Sequence, residues 1–186
     1  MHDARDGVMA VRCEADAIVA ASMDGTLRRY DLRTGRRTDD VVADGAPLTA
    51  LAPTRDGLCT LVASPNLRAA GGAGGGGGST ATDSGGTLCL VENATGDVLN
   101  RYVGHANTTY RATPAVSSDD AHVLCGSESG EVVVWDLVDA RVVARLKHHD
   151  RGVVRVDHHP SPSVRVFVSA SLDGTIAVWA PPEQDF

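Results

Sequence analysis

The chain has 186 residues, of which 42% are hydrophobic and 4% aromatic, and it carries a formal net charge of −7. That length suits one well-buried domain or several small repeated units. The acidic balance excludes a general binder of nucleic acid or membrane surfaces, which needs a basic excess. No apolar run reaches the roughly eighteen residues of a spanning helix.

In chain order, the opening MHDARDGVMAV lacks the charged-then-apolar layout of a signal peptide, so the sequons at Asn93 and Asn107 carry no expectation of glycosylation. VMAVRCE (8–14) reads as a strand. SMDGTLRRYD (22–31) reads as a tight Asp-Gly turn opening onto a second strand, and RRTDDVVA (36–43) as an outer one. Residues 65–82, PNLRAAGGAGGGGGSTAT, form a low-complexity tract that cannot build a packed core. It is expected to be an irregular loop insertion within a repeat. DSGGTLCLVEN (83–93) repeats the turn-and-strand pattern, with DVLNRYV (97–103) as its outer strand.

The third copy runs TYRATPAV (109–116), the turn SSDD, AHVLCGS (121–127), the turn ESG, EVVVWDL (131–137) and ARVVARLK (140–147). The fourth gives GVVRVDHH (152–159), SVRVFVSAS (163–171) and TIAVWA (175–180), and then no further strand. Thr87, Glu131 and Thr175, each following a turn glycine, fall 44 residues apart. The first interval, from Thr26, is longer by about the length of the glycine tract. A period near 44 matches a four-stranded propeller blade. The fold class is therefore all-β, a propeller with blades near 1–43, 44–103, 104–148 and 149–186.

The cysteines, Cys13, Cys59, Cys89 and Cys125, lie far apart in apolar stretches, as reduced core thiols of a cytosolic or nuclear protein would. His148-His149 and His158-His159 lack ligand spacing, so no metal is expected. The glycine tract lacks the Gly-Lys-Ser/Thr ending of a phosphate loop, and no nucleophile elbow frames a serine. No catalytic residue and no cofactor are expected.

Gly104-His105 stands about thirty residues before Trp135-Asp136, and His149 stands thirty before Trp179. On these residues the chain resembles the WD-repeat family, whose blades begin near Gly-His and end near Trp-Asp. Within it, DGTLRRYDLRTG, DGLCTLVAS, GDVLNRYVGHANTTYRAT and GEVVVWDLVDARVV are similar to the mitogen-activated protein kinase organizer branch. Those are scaffolds of cytoplasm and nucleus, also associated with spliceosomes. The resemblance implies a non-catalytic scaffold whose partners are signalling kinases or splicing components. No sequence-specific nucleic-acid contact and no membrane association are expected. A propeller enzyme and a truncated product without independent function are the alternatives.

The resemblance also implies a hydrogen-bonded tetrad in each complete repeat. In the fourth it is His149, Ser169 or Ser171, Asp173 and Trp179. In the third it is His105, Ser127 and Trp135, with Ser129 where Asp is expected. The first repeat has Asp24 but Tyr30 for Trp, and the second keeps neither His nor Trp. Arg28, Arg29, Arg33, Arg36 and Arg37 form a dense positive patch, either a solvated strand face or a dock for an acidic partner or RNA backbone. Tyr110 and Arg111, on the rim, are candidate interface anchors, or else a packed Tyr beside an exposed Arg.

The fourth repeat stops after its third strand, and the first opens directly with a first strand. The expectation is an open arc from a longer ring, with about three blades and the closing strand missing and apolar surface at both ends.

Overall fold

The computed structural model describes residues 4–65, 85–161 and 163–181. The glycine tract, expected to be an irregular loop, lies almost wholly outside them. β1 (Val8–Cys13), β2 (Ala17–Ser22), β3 (Thr26–Asp31) and β4 (Arg37–Val41) make one antiparallel sheet, paired in that order. β5 (Ala50–Pro53), β6 (Cys59–Ser64), β7 (Thr87–Glu92) and β8 (Val98–Tyr102) make the second. β9 (Ala115–Val116), β10 (His122–Gly126), β11 (Glu131–Asp136) and β12 (Val142–Lys147) make the third. The fourth has three strands, β13 (Val153–His158), β14 (Phe167–Ser171) and β15 (Ile176–Trp179). A single 3-10 turn, Ala43–Gly45, is the one helical piece among the described residues.

The turns explain why these meanders form where they do. Gly25 and Gly130 adopt φ of +77° and +82°, which glycine reaches without strain. A side chain at Gly130 would also strike the carbonyl of His149. The middle strands are Val-, Leu- and Ala-rich because both of their faces are covered. On β11, Val132, Val133 and Trp135 are all buried.

The sheets stack face to face through three apolar layers. Val19, Ala21 and Leu27 meet Leu51, Val62, Cys89 and Val91 between the first and second sheets. Leu61, Leu88, Leu90 and Tyr102 meet Val123, Cys125, Val133 and Trp135 between the second and third. Leu124 and Val132 meet Val153 and Val156 between the third and fourth. The inner strands touch in the order β1, β5, β9, β13. No such layer joins the fourth sheet to the first among the described residues, so the stack is a propeller arc that does not close.

One strand departs from expectation. TYRATPAV pairs over two residues only, as β9. The Glu128 carboxylate takes the N–H groups of Thr108, Thr109 and Tyr110, which holds that segment in a loop. Thr113 N–H then donates to Val154 of the next sheet (2.9 Å), and Pro114 has no N–H to give.

Candidate functional site

The fourth sheet carries a continuous chain of polar contacts. The indole N–H of Trp179 donates to Ser169 Oγ at 2.9 Å. An indole can only donate, so the hydroxyl proton of Ser169 is left for His149 Nε2, 2.7 Å away. His149 Nδ1 then donates to Thr175 Oγ1 (2.9 Å), whose own proton goes to Asp173 Oδ1 (2.6 Å). Both Ser169 and the His149 ring are buried, where an unpaired polar group would be expensive. Asp173 is held below the usual carboxylate range, chiefly by the Thr175 hydroxyl. Thr175 is thus a fifth member that the sequence reading missed. Its signal was available, since Thr26 and Thr175 both follow the turn glycine. Of the two serines left open, Ser169 is the network member. Ser171 instead donates to the carbonyls of Arg151 and Gly152.

In the third sheet the expected set does not assemble. Ser127 stands where Ser171 does in the 44-residue repeat, and Cys125 stands where Ser169 does. Ser127 Oγ accepts the N–H of Ala106 (3.0 Å) and the hydroxyl of Ser129 (2.8 Å), not a histidine or tryptophan proton. Trp135 N–H donates to the Val103 carbonyl at 3.0 Å, and Trp135 and His105 meet edge-on as rings. Both ring nitrogens of His105 lack a hydrogen-bond partner among the described residues. Burial and the Arg145 charge push its pKa down to about 4. Burial likewise pushes the Cys125 thiol up to about 12.

The first sheet replaces the tetrad with an ion pair. Asp24 takes both Arg28 guanidinium nitrogens (2.7 and 3.2 Å) and the N–H groups of Arg5 and Thr26. These bonds, the Arg28 bond first, hold the carboxyl far below its usual range.

A family model described as "WD domain, G-beta repeat" matches residues 96–136 and 140–180. The chain is 35% identical to WD repeat domain-containing protein 83 of Rattus norvegicus, over 96% of this chain and 49% of that one. It is 26% identical to the WD repeat domain-containing protein 83 homolog of Dictyostelium discoideum, over 89% of this chain and 44% of that one. The chain belongs to the WD-repeat family. It spans about half the length of these curated relatives. Its fold is shared by the computationally designed Ika4 protein, with TM-score 0.70 and 20% identity over 97% of this chain and 94% of that one. The designed Ika8 protein superposes equally well, but only 48% of it is covered.

The arginine patch of this WD-repeat chain is dispersed rather than continuous. Arg28, expected on a solvated face, is 5% exposed and spent on Asp24. Arg29 pairs with Glu14 at 2.6 Å, and Arg37 pairs with Asp39 at 2.8 Å. Arg33 and Arg36 are exposed in the turn between β3 and β4. The physical reason is the Asp-Gly turn, which folds the Asp24 carboxylate back over β3. At the rim, Tyr110 is exposed with its N–H tied to Glu128. Arg111 reaches the Met9 sulfur of β1 (3.6 Å).

Proposed function

We propose that the chain works as a non-catalytic scaffold, bringing together protein components of mitogen-activated protein kinase signalling and of spliceosome-associated pre-mRNA splicing in cytoplasm and nucleus. One observation carries this reading. In the fourth sheet the His149, Ser169, Thr175, Asp173 and Trp179 side chains are bonded to one another inside the blade. They hold that sheet rigid and leave the rims and the grooves between sheets to meet other proteins. The resemblance to the organizer branch, and the similarity to WD repeat domain-containing protein 83, favour signalling and splicing partners over others.

The test is quantitative cross-linking mass spectrometry on cells expressing the tagged chain. Enrichment of kinase-cascade or splicing proteins over an unrelated propeller is expected. No enrichment of either class would overturn the assignment. Turnover of a small molecule by the purified chain would favour the enzyme alternative.

A further inference from the structure

A groove of about 360 Å³ opens between the third and fourth sheets. Leu124, Val134, Val166 and Phe167 form its apolar part, and Asp119, His122, His158 and Arg165 are its titratable or charged lining. That size is within the range of sites that bind small ligands or single side chains. Its wall has a local origin. The turn between the first two strands spans residues 14–16, 54–58 and 117–121 in the first three sheets, but 159–166 in the fourth. The longer segment carries Arg165 to the groove.

The charges around this groove are unequally satisfied. Asp119, also in the lining, is exposed; its Oδ1 accepts the Ser117 hydroxyl (2.6 Å) and the Ala121 N–H (3.2 Å), and its charge faces His122. Asp157 pairs with Arg155 (3.0 Å) and accepts the His158 N–H. Asp136, near His122, takes the N–H groups of Val138 and Asp139. Arg165 makes no ion pair or hydrogen bond among the described residues. His158 Nδ1 is withdrawn from solvent with no partner among them. An apolar floor beside an exposed guanidinium with no partner among the described residues matches one kind of occupant.

We propose that this groove docks a linear segment of a partner protein in which an apolar residue is followed by Asp or Glu. The apolar side chain fills the space over Leu124, Val134 and Phe167, and the carboxylate meets Arg165. The proposal rests on the scaffold reading and names a surface for it.

The probes are fluorescein-labelled peptides GSGLEGSG, GSGLKGSG and GSGAEGSG, titrated into the full chain by anisotropy and by amide NMR. The Leu-Glu peptide is expected to bind roughly fivefold or more tighter than the Leu-Lys and Ala-Glu peptides, because charge and apolar contact act together. Amide shifts are expected at 117–122 and 158–167. Arg165→Glu, an exposed change that leaves the core intact, is expected to reverse the Glu-over-Lys preference. Equal binding of the three peptides, shifts confined elsewhere, or an unchanged preference in Arg165→Glu would overturn the groove. Those results would leave the scaffold reading standing if the cross-linking enrichment persists. Loss of enrichment with peptide binding intact would sink only the scaffold reading.

Discussion

His105 and His149 hold equivalent places 44 residues apart and show what two neighbouring side chains decide. The His149 ring is bonded at both nitrogens, whereas His105 is bonded at neither, because Cys125 replaces the serine and Glu131 the threonine. A buried polar group without a partner costs about 1–3 kcal/mol. Cys125→Ser combined with Glu131→Thr and Ser129→Asp rebuilds both partners and the carboxylate behind them, and is expected to raise stability by about 1 kcal/mol in urea melts. A lower midpoint would show that His105 gains nothing from them. The same residue sets a pH window. Its folded pKa of about 4 lies below the ordinary 6.5, so the unfolded chain takes up the proton first as pH falls. Stability is expected to be level above pH 6.5 and to decline from there towards pH 4, by up to about 3 kcal/mol in total. Asp24 and Asp173 are also shifted down, but from a lower ordinary value. Their contribution is present above the ordinary value of 3.8 and drains only below it, which separates the two windows. Urea midpoints at pH 7 and pH 5 check this, with His105→Leu expected to flatten the difference. A wild-type midpoint unchanged between those pH values would contradict it.

At the level of strands and sheets, the two tryptophans occupy the same repeat position but different surroundings. Trp135 is fully buried between the second and third sheets, edge-on to Tyr102 at 6.2 Å. Trp179 belongs to the complete polar network, yet it is only partly buried, stacked on Phe167 at 5.7 Å with no outer strand beside it among the described residues. Trp135→Ala is therefore expected to cost about 3–5 kcal/mol and Trp179→Ala distinctly less. The exposed Arg36→Ala is expected to stay within about 0.5 kcal/mol. Equal losses for the two tryptophans in denaturant melts would place the core elsewhere. The sequence alone favoured Trp179, because motif completeness is visible in a sequence and the cover of a neighbouring sheet is not. The turn-and-strand repeat was legible, since glycine turns and alternating Val and Leu are local properties. The loop in place of a long β9 was not, because it depends on Glu128 reaching back across some twenty residues to the amides of Thr108 and Thr109. Arg28 was read as solvated for the same reason. A charged strand residue looks exposed until the turn brings Asp24 onto it.

Over the whole molecule, the two end faces of the arc differ in chemistry. Register puts Arg28 and Tyr30 of β3 on one face and Leu27 and Arg29 on the other. Leu27 packs towards the second sheet, so Arg28 lies on the end face. There it is paired with Asp24, and Arg37 is paired with Asp39 alongside. At the opposite end, Val168 pairs across from Val178 and Ala170 from Ile176, on the face turned away from Phe167 and Trp179, which pack towards the third sheet. Ile176 is 73% exposed and Val178 69%. Stacked repeat arrays stay soluble when their terminal faces are polar; the first sheet's end face sets two ion pairs among its exposed Val11 and Val41, and the fourth sets none beside Ile176 and Val178 among the described residues. An apolar sheet face beside an edge strand with free backbone groups is a site for association. The 186-residue chain is therefore expected to self-associate through its fourth sheet. The variant Ile176→Lys with Val178→Lys places two charges on that face and is expected to scatter light as a monomer. Val11→Lys, at the other end, is expected to leave the association in place. A monomeric wild type, or aggregates that survive the double lysine change and vanish with Val11→Lys, would show that the wrong end had been taken as the open one.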